Sequence, residues 1–276
     1  MAKKRTKVVL ELTRRDFLTV AAAAVGSVFI APLVTTGPLS PFANLKQQQL
    51  VSDSTGHGSS TGEFHWGMTI DLDKCIGCAY CQRACCATND VKADEPWNIV
   101  EPEKTSTGQE FFFTRPCLHC QDAPCVEVCP VQATYRREDG LIVMDYDRCI
   151  GCRYCQVACP YDARRFNWKA RTDKNPYIPT WGIAEVKRRP RGVVEKCTFC
   201  IHRIDSGLKS GLKPGVDPEA TPACVNVCPV KARTFGNLND PTSVISQILA
   251  SYSTIRLRDD LGTEASVYYI PPKEGL

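Results

Sequence analysis

Cysteines are the residues of this chain whose type and spacing promise chemistry: 17 of 276 positions, 16 of them in four groups of four. Cys149, Cys152, Cys155 and Cys159 lie in MDYDRCIGCRYCQVACP (residues 144–160), spaced C-x2-C-x2-C-x3-C and followed by Pro160. Residues 70–85, IDLDKCIGCAYCQRAC, match residues 144–159 at 11 of 16 positions and supply Cys75, Cys78, Cys81 and Cys85. A second form places Cys117, Cys120, Cys125 and Cys129 in CLHCQDAPCVEVCPVQA. It recurs as Cys197, Cys200, Cys224 and Cys228, with a 23-residue loop between its halves and the same ending, C-V-x-V-C-P-V-x-A. The order is type one, type two, type one, type two, which marks a duplication. Three thiolates within seven residues can wrap one [4Fe-4S] cubane, so the expected cofactors are four [4Fe-4S] clusters.

Other uses of cysteine fit less well. Disulfide scaffolds are shorter chains without triplets at two-residue gaps, and zinc sites use two C-x2-C pairs with no role for a third cysteine and a Cys-Pro. Gly77 and Gly151 are expected to let the backbone approach the cluster and offer N–H groups to sulfur. Cys85 and Cys86 compete for one role, and only Cys85 keeps the motif spacing. His119 and His202 lie near cysteines but are expected to hydrogen-bond rather than ligate, because sixteen cysteines already close every site. Tyr80 and Tyr154 are expected to pack against the clusters.

The formal net charge of +4 counts every cysteine as neutral. Sixteen thiolates around four cores of about 2+ bring it to about −4, and to about −8 without the basic N-terminus. An acidic holoprotein argues against nucleic acid as a partner. No nucleotide fingerprint, nucleophile constellation or open metal position stands out, so no catalytic residue and no small-molecule substrate are expected.

The elements that must hold these groups read as follows. Residues 1–43 contain Arg14 and Arg15 in TRRDFL ahead of an apolar run, the layout of a twin-arginine export signal, or of an anchor if retained. Residues 44–64 are a Gln-, Ser- and Gly-rich linker. A short strand opens the folded part at His65 to Met68. Strands flank TSTGQ as a hairpin, and Asp139-Gly140 turns a second one. Residues 168–192 form an insertion with Tyr177, Trp181, Lys187, Arg188, Arg189 and Arg191, expected to dock a partner. Residues 241–276 read as a helix capped at Asp240 and a strand at Val267 to Ile270.

The C-x2-C-x2-C-x3-C runs, the one at 149–159 followed by Pro160, resemble those of bacterial two-cluster ferredoxins, in which the fourth cysteine ligates the other cluster. That resemblance implies an α+β fold of two interleaved ferredoxin-like units with long loops and a C-terminal helix. An inner unit spans 116–167, and 65–115 with 193–240 form an outer one. The implied ligand sets are Cys75, Cys78, Cys81 with Cys228; Cys197, Cys200, Cys224 with Cys85; Cys117, Cys120, Cys125 with Cys159; and Cys149, Cys152, Cys155 with Cys129. From Trp66 to Pro271 the four motifs resemble the four-cluster iron-sulfur subunit of the DMSO reductase and polysulfide reductase family of molybdenum oxidoreductase complexes. The resemblance implies an electron-transfer subunit, not an enzyme by itself, relaying single electrons between a polytopic membrane quinone subunit and a periplasmic molybdopterin catalytic subunit. It would work in the periplasm or on the outer face of the cytoplasmic membrane, exported folded. The alternatives are the same relay serving a hydrogenase or a cytochrome nitrite reductase, and a freestanding periplasmic carrier.

Overall fold

Segments between the cysteine groups are short and broken by Gly and Pro, so they build strands and single-turn helices rather than long elements. The computed structural model describes residues 62–273. The export segment with Arg14 and Arg15, and all but the end of the 44–64 linker, lie outside the described residues.

The first described strand is β1 (Trp66–Asp71), buried along its whole length. It is the centre of a three-stranded sheet: β8 (Arg233–Asn237) pairs with it antiparallel, Met68 opposite Phe235, and β9 (Val267–Ile270) pairs parallel, Met68 opposite Val267. Elements from the two ends of the described residues therefore share one sheet. Three two-stranded ribbons complete the strands. β2 (Ile99–Lys104) and β3 (Glu110–Arg115) form the hairpin around TSTGQ. β4 (Thr134–Arg136) and β5 (Ile142–Met144) flank Asp139-Gly140, and β6 (Arg164–Phe166) pairs with β7 (Val194–Lys196) across the insertion.

Helices follow the cysteine pairs. α1 (Tyr80–Thr88) and α4 (Ile201–Lys209) have nine residues each, while α2 (Pro124–Glu127), α3 (Tyr154–Val157) and α5 (Ala223–Asn226) are single turns. α6 (Val244–Ser251) is capped by Ser243, whose hydroxyl accepts from the Ser246 N–H at 3.3 Å. Asp240, the residue expected to cap it, instead accepts from the Thr242 N–H and hydroxyl in the preceding turn. The larger core joins Trp66, Met68, Ile70, Phe199, Phe235 and Tyr269 to Cys85, Cys117, Cys120, Cys125, Cys155, Cys197 and Cys224. The cysteines are thus part of the interior that holds the fold.

The insertion folds back on α1 and engages part of its own basic run within the chain. Carbonyl groups at the C-terminal end of a helix attract cations and N–H donors. Arg171 donates to the Asp90 carbonyl at 2.8 Å, Arg188 pairs with the Asp90 carboxylate at 2.8 Å, and Asn175 donates to the Cys86 carbonyl at 2.8 Å. Arg189 is buried, pairs with Glu195 at 2.7 Å, and lies over the Trp97 ring. Trp181 packs on Tyr80 with ring centroids 4.6 Å apart. Of the four cations assigned to docking, only Lys187 and Arg191 remain exposed.

Candidate metal centres

Each type-one loop needs residues with positive φ. Gly77 (φ 68°) is followed by Ala79 (57°), and Gly151 (69°) by Arg153 (64°), after which the chain enters α1 and α3. A methyl group on Gly77 would lie 2.4 Å from the Phe112 ring, and one on Gly151 would lie 2.1 Å from the Gly192 carbonyl oxygen. The space these glycines leave is filled by the β2–β3 hairpin and the end of the insertion. Protein packing therefore demands glycine here, where the sequence suggested room for a cofactor. The amide expectation has a counterpart: the Gly77 N–H bonds the Cys75 sulfur.

The cysteines gather in fours. Cys75, Cys78, Cys81 and Cys228 line one small cavity. Cys117, Cys120, Cys125 and Cys159 line a second, and Cys129, Cys149, Cys152 and Cys155 a third. The remaining four, Cys85, Cys197, Cys200 and Cys224, are all buried, and Cys85 interacts electrostatically with the other three. Asn89 Nδ2 lies 3.5 Å from Cys200 Sγ and 3.8 Å from Cys85 Sγ, so one donor serves both. Cys86 faces the Lys92 carbonyl at 3.7 Å and the charges of Arg171 and Glu195.

Successive groups adjoin in a row, that of Cys75 first, that of Cys85 second, that of Cys117 third and that of Cys149 fourth. Cys224 of the second group feels Cys81 of the first, Cys197 of the second feels Cys117 of the third, and Cys155 of the fourth feels Cys125 of the third. Cys152, in the fourth group, is exposed, whereas every cysteine of the second group is buried.

A recurring turn, missed in the sequence, serves the last cysteine of three motifs. Gln132, Asp162 and Lys231, each three residues after such a cysteine, adopt φ of 52°, 48° and 52°. Non-glycine residues pay about 1 kcal/mol or more for this conformation. The turn aims the next amides back at sulfur: Ala232 N–H donates to Cys228 Sγ at 3.3 Å, and the amides of Ala163 and Tyr161 bond Cys159. At Cys129 burial pushes the thiol up, but the amides of Thr134, Val131 and Ala133 and the Thr134 hydroxyl together outweigh it and leave the thiol more acidic than usual. The readable signal was the shared ending C-P-x-x-A at 129–133, 159–163 and 228–232.

At the most deeply buried thiols burial dominates. It pushes Cys85, Cys120 and Cys197 far up and Cys224 up to about 12, so without metal these thiols keep their protons and loading must expel them. The sets suit a polynuclear group. All seventeen cysteines are free, and among the described residues no three His, Cys, Asp or Glu side chains converge on the position of a single metal ion. Four thiols around a cavity match a cubane, with one cysteine per iron. Buried Arg164 Nη2, beside Cys125 and Cys155, has no protein acceptor and is the donor such a group's sulfur would satisfy.

The histidines do other work. His119 is fully buried, accepts from the Ile142 N–H at 3.1 Å through Nδ1, and stacks on Phe199. His202 pairs with Glu185 at 2.8 Å. Tyr154, expected against a cluster, is 61% exposed.

Two models of a 4Fe-4S dicluster domain match the chain, over residues 109–175 and 148–232. A Halobacterium salinarum protein, provisionally named as the B-type iron-sulfur component of a dimethyl sulfoxide reductase, is 44% identical over 75% of this chain and 79% of its own. The B component of the selenate reductase of Mesobacillus selenatarsenatis is 35% identical over 98% of this chain and 100% of its own. The B component of the polysulfide reductase of Wolinella succinogenes is 35% identical over 76% and 96%.

Proposed function

This chain is a member of the family of iron-sulfur subunits that includes the B components of the selenate and polysulfide reductases, an electron-transfer subunit rather than a catalytic one, and from that premise we propose a four-site relay. In this reading the four cysteine groups are the ligand sets of four [4Fe-4S] clusters, which supply one-electron transfer when bound. The observation that carries it is the partition of sixteen cysteines into four groups arranged in a row, each drawing its fourth member from a different motif. The two dicluster units are interleaved: the outer one joins the first and fourth motifs, and the inner one the second and third. The pairing of β1 with β8, and of β4 with β5 between the inner motifs, supports that division.

The chain's residues contribute the environment. The helix starts after Ala79, Arg153 and Cys200 and the turns at Gln132, Asp162 and Lys231 fix where sulfur points, and their amides and Asn89 and Asn98 donate to it. Burial of the second group keeps water from the middle of the row. The fourth group, where Cys152 is exposed, offers an end where a partner's cofactor can approach.

The finer reading follows the family. The relay runs between a membrane quinone-reactive subunit and a molybdopterin catalytic subunit, and the protein is exported folded through Arg14 and Arg15 to the periplasmic side. No helix among the described residues is long and apolar enough to cross a membrane. Iron analysis should give about 16 atoms per chain, with spin-coupled EPR on reduction; zinc, or about 8 iron atoms, defeats the four-site reading. Fractionation tests export: replacing Arg14 and Arg15 with lysine should leave loaded protein in the cytoplasm, and export that survives the change refutes this signal. Co-purification from native membranes tests the partners.

A further inference from the structure

Four basic side chains are buried among the described residues, Arg164, Arg189, Lys196 and Arg233, and of these Arg189 alone has a carboxylate partner. A buried cation without a counterion is expensive. Arg233 lines the cavity of the first cysteine group, beside Cys81 and Cys228, and lies within electrostatic reach of Cys224 of the second, all of them thiolates once a cluster is bound. Arg164 lines the cavity of the third group, beside Cys117 and Cys125, and lies within electrostatic reach of Cys155 of the fourth. Lys196 Nζ donates to the carbonyl of Cys197, in the second group, at 2.7 Å and to that of Ile142, which lines the cavity of the third group. Each junction in the row therefore contains one cation.

The two arginines are seated alike. Both stand five residues after a motif's last cysteine, in CPYDAR and CPVKAR. Each bonds a threonine hydroxyl and a methionine sulfur: Thr134 and Met144 for Arg164, Thr114 and Met68 for Arg233. In addition, Arg164 and Lys196 are direct partners across the β6–β7 ribbon. Like charges facing across a strand pair repel, and both side chains are almost wholly buried. Anions on either side of the ribbon would balance that repulsion.

We propose that Arg233, Lys196 and Arg164 are countercharges built into the three junctions of the relay, each shared by two successive cluster sites and raising the reduction potential of both. The inference rests on the four-site reading. Four thiolates around a core of about 2+ leave each site anionic, and reduction adds one further negative charge. A fixed cation beside two such sites stabilises the reduced form of each, more strongly in a buried setting than in water. Neutral donors could satisfy the threonine and methionine but would not supply this charge.

Redox titration of the full-length holoprotein, followed by EPR, tests it with Arg233→Gln, Arg164→Gln and Lys196→Met. Each should lower the midpoints of two of the four centres and leave the others in place. The pairs moved by the two arginine variants should not overlap, and Lys196→Met should move one centre from each pair. Arg233→Lys and Arg164→Lys, which keep the charge, should retain the parental midpoints. Unchanged midpoints, a shift of one centre only, or a uniform shift of all four overturns the proposal. Where a glutamine variant loads incompletely, the lysine variant decides: full iron with parental midpoints supports a role for charge, and loss of iron or shifted midpoints overturns it. Iron in the parental protein is read separately, so fewer than four centres there counts against the four-site reading and not against the countercharges.

Discussion

Cys85 and Cys86 are adjacent, identical in type and both buried, yet replacing them should have opposite consequences. Burial raises both thiols, so acidity does not separate them; their neighbours do. Successive helix residues point about 100° apart, which turns Cys85 toward Cys197, Cys200 and Cys224 and Cys86 toward Lys92 and the insertion. Cys85→Ser removes one of four sulfur donors and leaves three buried thiols without their metal. On the four-site reading that set carries four irons, so iron should fall from about 16 to about 12 per chain. Cys86→Ser exchanges a weak contact, 3.7 Å to the Lys92 carbonyl, for a hydroxyl that can use the same acceptor. The cost is about 1 kcal/mol, small against the roughly 5–15 kcal/mol that holds a domain folded. Iron and acid-labile sulfide per chain, with EPR of the reduced protein, provide the assay. Loss of about four irons from Cys86→Ser, with full iron in Cys85→Ser, would refute the assignment.

Three further outcomes follow from the packing. Arg189→Met should destabilise by about 3–5 kcal/mol, because it strips Glu195 of its cation, whereas exposed Arg191→Ser should stay within about 0.5 kcal/mol; thermal bleaching of the holoprotein compares them, and an Arg189→Met protein of parental stability would refute the folding role. Asp90, partly buried but held below the usual carboxylate range by Arg188, Asn175 and Arg171, contributes stability that is full above its unfolded pKa and lost as pH falls through the lower folded one. The advantage of the parental protein over Asp90→Asn should therefore persist at neutral pH and vanish in acid below the ordinary carboxylate range, and an advantage that grows in acid would contradict the sign. Gly151→Ala must place a methyl group against the Gly192 carbonyl at φ 69° and should cost iron, while Gly108→Ala, at φ 91° in open space, should retain it; equal iron in both would show that the loop yields.

The ligand candidates were legible because thiolate geometry imposes short, fixed spacings on the chain itself. The hairpins were legible for a similar local reason: TSTGQ and Asp139-Gly140 are turn sequences between alternating strands. Charge was harder to read. Arg164, Lys196 and Arg233 look in sequence like any surface cation, and only the strand pairings bury them. Arg188 and Arg189 appear as an exposed basic run until the end of α1 and Glu195 are seen to absorb them. The paired CPYDAR and CPVKAR were the one local sign that two of these cations have a fixed place.

The central position of β1 gives the protein a timetable. Its partner Asn237 lies 171 residues after Trp66, and Val267 is later still. At about 5–20 residues per second a ribosome takes roughly 10–35 s to bridge that interval. Until then β1 is an apolar strand with both edges unpaired, a hazard for any nascent polypeptide. Cys228, which closes the first cysteine group, arrives in the same late segment, whereas the third and fourth groups are complete once Cys159 has emerged. The middle of the sequence can therefore mature while its first strand still waits, and the last strands to be made decide whether the molecule closes.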